Sequence, residues 1–246
     1  MPKDRGIEKV KDYFEDFLDL VRKKIASQGR VRILDAGCGY GIAMLGFVKE
    51  FGNKVEMIGF NYSEKDGSRE MMKKEAVKKR IFSKKELSKI KLPRIIYCDA
   101  SKKLPFKSNY FDFVYSMASI YLYDDKINFL QECNRVLKKK GIARLSVAFW
   151  PHFKNKVGFP SKYYEMWEIW DKGKEIKIID YFKKFKNIRN IGKAGDRLQY
   201  LEIKKVKKLD FGLKLVTSID YNFIWKKWAG IKSIYTTQRK LKPRWK

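Results

Sequence analysis

A single α/β domain built on a seven-stranded mixed sheet, with helices on both faces, is the fold this sequence predicts. Three observations lead there. Through the first 150 positions, short apolar runs alternate with amphipathic stretches of ten or more residues, the pattern of parallel strands joined by crossover helices. A glycine-rich loop directly follows the first of those runs. The chain then closes on two apolar runs with a short Trp-rich connection, and strands so joined must pair antiparallel.

Each element has its own warrant. Residues 7–27, IEKVKDYFEDFLDLVRKKIAS, space Ile7, Val10, Phe14, Phe17, Leu18, Val21 and Ile25 by threes and fours, which predicts one amphipathic helix stopped by Gly29. RVRILDAG is a buried strand, IAMLGFVKEF a helix, and KVEMIGFNYS a second strand. Residues 63–91 read as mostly helical and very basic, and Pro93 resets the chain for a third strand, RIIYCDAS. YFDFVYSMAS is a fourth strand, DDKINFLQECNRVLKKKG a helix closed at Gly141, and IARLSVAFW a fifth strand. From Pro151 to about Gly195 the pattern loosens into aromatic and basic segments. DRLQYLEIKKVKKLDFG then predicts a helix ending at Gly212, followed by the closing strands LKLVTSIDYN and IKSIYTTQR. The expected division is one domain: a core over 30–150, a basic aromatic lid over 151–197, and a C-terminal helix and hairpin over 198–240.

Charge sets the surface apart. Lys and Arg number 57 against 28 Asp and Glu, a net of +29, which attracts polyanions and makes RNA or DNA contact salt-dependent. A generally Lys-rich surface with no such partner accounts for the excess about as well. No run approaches the roughly 20 apolar residues of a membrane span. The charged start, MPKDRGIEKVKDYFEDF, lacks the apolar core of a signal peptide. Cys38, Cys98 and Cys133 lie far apart without metal-ligand spacing, so no metal is expected and a reducing, cytoplasmic setting fits. Oligomeric state is not legible.

The loop in ILDAGCGYGIAMLGF, residues 33–47, lies where an open α/β sheet binds its ligand. A dinucleotide fingerprint would place its third glycine at position 42, but that residue is Ile42 and the glycine is Gly41. The Gly-Lys-Ser/Thr of a phosphate-cradling loop is absent as well. Asp35, immediately before the glycines, would repel a phosphate and attract a cation.

The same residues carry a family likeness. ILDAGCGYG resembles motif I of the class I S-adenosylmethionine-dependent methyltransferases. IGFNYS, YCDASKKLPF, FDFVYS and FLQECNRVLKKKGIARLS follow in the order and spacing of that family's later motifs, covering roughly 30–150, and LDFGLKLVTSIDYN resembles its sixth strand. The resemblance implies a Rossmann-like class I methyltransferase fold with S-adenosylmethionine as cofactor. It implies that Asp35 organises the loop and meets the amino-acid part of the cofactor, and that Gly37, Cys38, Gly39 and Gly41 let the backbone lie against it. Asp99 would accept from the adenine amino group beside Ala100, and Ser116 and Met117 would border the methionine portion. Where the family usually has an acid for the ribose hydroxyls, this chain has Asn61, whose amide oxygen accepts without charge, with Tyr62 as its neighbour.

The acceptor stays open between a small molecule and RNA. Neither an Asn/Asp-Pro-Pro-aromatic element nor a Pro-Cys pair occurs, so amino- and C5-methylation of DNA bases are disfavoured. Tyr121, in SIYLYDD beside Tyr123, and His152, in FWPHF, are the candidate catalytic residues, with core packing and loop filling as their plainer roles. Tyr163, Tyr164, Trp167 and Trp170 fall at helical spacing and read as part of an aromatic cover. A non-catalytic basic scaffold or nucleic-acid adaptor that keeps the fold is the alternative, supported by Asn61.

Overall fold

The computed structural model describes residues 5–146, 167–176, 178–191, 200–222 and 229–238. Strands β1 (Val31–Ala36), β2 (Val55–Asn61), β3 (Arg94–Tyr97), β4 (Phe111–Ser116) and β5 (Leu137–Ser146) form a parallel array. Two antiparallel strands, β8 (Ile188–Ile191) and β9 (Tyr200–Lys204), extend it beside β5. The order is β3-β2-β1-β4-β5-β9-β8, the seven-stranded mixed sheet that the sequence predicts.

Both faces are covered, because β1 sends residues to both. Val31 and Ile33 pack with α1 (Ile7–Phe14), α2 (Phe17–Gln28) and α3 (Ile42–Phe51). Leu34 and Ala36 face the opposite side, with Ile127, Phe129, Leu130, Cys133 and Val136 of α6 (Lys126–Val136). A central strand buried on two sides carries apolar residues on both faces, as the adjacent Ile33 and Leu34 of β1 do.

Several expectations are corrected. The helix over 7–27 is broken at Glu15, whose φ is 49°. The cause lies across the fold: buried Arg144 of β5 takes the carbonyl of Phe14 and pairs with Asp16 at 2.6 Å and with Glu202 at 2.9 Å. Within 63–91 the α-helices are confined to α4 (Arg69–Lys78) and α5 (Lys84–Leu87). The predicted helix over 196–212 holds β9 instead, since Leu201 and Ile203 face one core, Tyr200 the other, and Glu202 pairs with two arginines. Trp167 and Trp170, predicted at helical spacing, stand on strand β6 (Trp167–Asp171); Tyr163 and Tyr164 lie outside the described residues.

The closing hairpin pairs antiparallel as predicted but leaves the main sheet. Strands β10 (Lys214–Asn222) and β11 (Ala229–Thr236) join β6 and β7 (Lys174–Ile176) in a second sheet, ordered β10-β11-β6-β7. Short helix α7 (Ile178–Phe182) packs between the sheets, its Phe182 ring edge-on to Trp167 at 6.0 Å. The second sheet is fastened at the start of α6. The wholly buried Lys126 Nζ donates to the carbonyls of Tyr123 (2.7 Å) and Ile231 (2.8 Å) and to Ser233 Oγ (2.7 Å). Tyr235 Oη accepts from the Lys126 amide at 2.8 Å. Burial pushes the Lys126 ammonium down to about 7 against the pull of Asp124 and Asp125.

Candidate active site

A cavity of about 500 Å³ opens at the carboxyl ends of β1 to β4, beneath Asp220 and Ile231 of the second sheet. Its size is that of a small-ligand site. The glycine loop forms one side. Gly37 has φ +75°, and a Cβ there would lie 2.5 Å from Ser119 Oγ, so the loop sits against the chain leaving β4 with no room for a side chain. The loop keeps its own donors. The amides of Gly37 and Cys38 both donate to the Phe60 carbonyl at 3.0 Å, that of Gly39 to Asn61 Oδ1 at 2.8 Å, and that of Gly41 to the Cys38 carbonyl at 2.9 Å. A loop that cradles phosphates needs those amides free, so the exclusion drawn from spacing has a geometric basis.

Asn61 holds this arrangement. Its Nδ2 donates to the carbonyls of Gly39 (2.9 Å) and Gly67 (3.1 Å) while Oδ1 accepts from the Gly39 amide. Gly67 must be glycine here, because a Cβ would lie 1.9 Å from the Gly39 oxygen. Each polar atom of the Asn61 amide is thus engaged by the loop and its support.

Asp35, the penultimate residue of β1, is almost wholly buried, with Oδ2 accepting from Tyr115 Oη at 2.7 Å. Phe14, Phe17 and Phe47 hold the Tyr115 ring at centroid distances of 6.3, 5.7 and 5.8 Å. Burial pushes the Asp35 carboxyl up to about 7, and the Tyr115 hydrogen bond opposes the rise. Burial and the neighbouring Asp35 push the Cys38 thiol well above its usual range, so it remains a thiol and donates to Asn61 Oδ1 at 3.5 Å.

Asp99, two residues past β3, accepts from the Ser101 amide at 2.8 Å in a turn while its residue lines the cavity. Turn and lining roles coexist there. Beyond β4, Ser116 Oγ donates to the Ala36 carbonyl at 3.0 Å, and Ser119 Oγ lies 2.6 Å from it and 3.1 Å from Tyr123 Oη. Burial pushes the Tyr123 phenol up, so it stays protonated.

The predicted residues Asp35, Gly37, Cys38, Gly39, Asn61, Tyr62, Asp99, Ala100 and Met117 line the cavity. Gly41 and Ser116 stand behind the lining: Gly41 starts α3 in the left-handed conformation, and Ser116 braces the Ala36 carbonyl. Tyr121 is packed inside the turn after β4, and the lining takes Tyr123 in its place. His152 lies outside the described residues. Arg5, Asp66, Ser119, Asp124, Asp220 and Ile231 also line the cavity and were not singled out from sequence. Only Asp66 had a local signal: Ser63 and Asp66 form a capping box, a spacing visible in NYSEKD.

A mainly parallel sheet with a glycine-looped cavity at the carboxyl ends of its strands gives this chain the class I S-adenosylmethionine-dependent methyltransferase fold. Residues 34–145 match the family described as "Methyltransferase domain". Among solved structures, a Methanococcus maripaludis protein assigned as an S-adenosyl-L-methionine-dependent methyltransferase is 15% identical, covering 84% of this chain and 95% of its own at a TM-score of 0.49. The Bacillus subtilis YcgJ protein is 24% identical over 52% of this chain and 48% of its own, with a TM-score of 0.39. An arsenic(III) S-adenosylmethionine methyltransferase from Chlamydomonas reinhardtii is 22% identical over 47% of this chain and 38% of its own, with a TM-score of 0.38. The match spans about half the length of YcgJ. No curated protein sequence matches the chain. Among the described residues, no helix is long and apolar enough to cross a membrane.

Proposed function

We propose that this chain transfers the methyl group of S-adenosylmethionine to a small acceptor that enters the cavity beneath the second sheet. The observation that carries this reading is a reversal of sign. On a chain of net charge +29, the cavity is lined by Asp35, Asp66, Asp99, Asp124 and Asp220. Carboxylates in a partly desolvated cavity favour a sulfonium and an ammonium and disfavour a phosphate chain.

The residues fit the cofactor. Asp35 would face its ammonium, Asp99 its adenine amino group with Ala100 beside the ring, and Met117 the methionine portion. Asn61, engaged by the loop, is a positioning residue in this reading; the ribose hydroxyls fall to Tyr62 and Asp66, which also line the cavity. When bound, the cofactor supplies a methyl group already activated on a sulfonium. What remains for the chain is alignment and exclusion of water, which Asp220 and Ile231 serve from above. Tyr123, held protonated, offers a hydroxyl to orient the acceptor.

RNA as acceptor is the second reading, favoured by the net charge of +29. The test is label transfer from methyl-labelled S-adenosylmethionine into an extract, divided by nuclease treatment and by solvent extraction. Label that extracts with small molecules supports the first reading, and nuclease-sensitive label supports RNA. Tight binding of S-adenosylhomocysteine without any label transfer would favour the non-catalytic scaffold.

A further inference from the structure

The cavity lining contains one group of the opposite sign. Among the described residues Arg5 is the cation that lines it, facing a wall otherwise rich in aspartate. Its Nη2 is buried and has no hydrogen-bond partner. A desolvated guanidinium donor without an acceptor is costly to keep, and a ligand that supplies the acceptor removes the cost.

Arg5 is held in place by packing. Gly46 of α3 leaves room for the first turn of α1: a Cβ on Gly46 would lie 2.6 Å from Ile7 Cβ. The Lys9 amide donates to the Gly6 carbonyl at 3.1 Å and closes that turn. Two residues before Ile7, Arg5 therefore reaches the cavity from a seated helix start. It lies near the turn after β4 as well, where its charge opposes the burial-driven rise of the Tyr121 phenol.

We propose that Arg5 binds a carboxylate inside the cavity, making it a charge-specific anchor for a zwitterionic or acidic ligand. A guanidinium fork matches a carboxylate in two parallel hydrogen bonds, and a single negative charge is tolerated beside aspartates where a polyphosphate is not. The carboxylate has two sources: the amino-acid end of the cofactor, whose ammonium Asp35 would face, or the acceptor. The inference rests on the proposed use of S-adenosylmethionine.

Calorimetry on the wild type, Arg5→Ala and Arg5→Lys separates these cases. The ligands are S-adenosylhomocysteine and 5′-methylthioadenosine, which lacks the amino-acid end, and circular dichroism checks that each variant is folded. If the cofactor supplies the carboxylate, Arg5→Ala weakens S-adenosylhomocysteine roughly ten- to a hundredfold and leaves methylthioadenosine unchanged, with Arg5→Lys between. If the acceptor supplies it, S-adenosylhomocysteine affinity is unchanged. The wild type loaded with it then binds acetate, butyrate or benzoate at least tenfold more tightly than loaded Arg5→Ala does. Unchanged S-adenosylhomocysteine affinity together with no Arg5-dependent carboxylate binding overturns the inference while leaving the cofactor reading intact. Failure of both nucleosides to bind the wild type overturns the cofactor reading, and this inference with it.

Discussion

Replacing Asp35 by asparagine separates what its carboxylate costs the fold from what it contributes to ligand binding. The side-chain oxygen of asparagine still accepts from Tyr115 Oη, so the bond now 2.7 Å long has a neutral counterpart. What disappears is the titration. Asp35 ionises at about 7 in the folded chain, against 3.8 as its ordinary value. The gap of about three pH units corresponds to roughly 4 kcal/mol. Its sign is that of a raised carboxylate: the unfolded chain loses the proton first, so stability declines from about pH 4 to about pH 7 and is level above. Urea unfolding should therefore show the two proteins alike near pH 4 and Asp35→Asn more stable by up to about 4 kcal/mol near pH 8. Other titrating groups, Lys126 among them, are shared and cancel in the difference. Binding should run the opposite way. A cationic ligand displaces the proton, so wild-type affinity for S-adenosylhomocysteine should rise up to about tenfold per unit from pH 5 to 7 and then level off. The variant should bind weakly, with a flat profile. A variant less stable than wild type at pH 8, together with a flat wild-type binding profile, would refute the assignment of Asp35 as a buried carboxylate awaiting a cation.

Asn61→Asp would restore the acid usual in the family but set a carboxylate against the Gly39 and Gly67 carbonyls, now 2.9 and 3.1 Å from Nδ2. It should cost about 2 kcal/mol of unfolding free energy at pH 8, and the cost should fall as the pH is lowered, because burial against two carbonyls favours the protonated form of the new group. Lys126→Met removes three donors at the seam between the sheets and should cost about 3 kcal/mol. Hydrogen exchange should then rise in β10 and β11 well before β1 and β4. Should RNA bind, its affinity must fall steeply with added salt, measured by filter binding across a salt series; a flat series would assign the net charge of +29 to background.

Much of the fold was legible because it rests on local pattern. The parallel strands carry short apolar clusters separated by amphipathic helices, the loop between β1 and α3 has its glycines, and nine of the residues picked for the cofactor by family likeness line one cavity. The misreadings share a cause. The stretch 196–212 has spacing that suits a helix, yet β9 is drawn into a strand by pairing with β5 and by the Arg144–Glu202 pair. The same Arg144 breaks the first helix at Phe14 from 130 residues away. Neither effect has a local signature.

What the sequence by itself determined is the alternation of strands and helices from β1 to β5, the mixed-sheet fold class, and the glycine spacing of the loop, which departs from that of phosphate-binding loops. Tertiary structure alone decided that the closing hairpin leaves that sheet, and that Tyr123 rather than Tyr121 reaches the cavity. It alone decided that Asn61 serves the loop, and that Arg5, Asp220 and Ile231 converge on the site from both ends of the described chain. The reason is physical. Periodicity and turn chemistry act over a few residues and are written locally, whereas strand pairing, burial of a charge and the closing of a cavity depend on groups that meet only once the chain has folded.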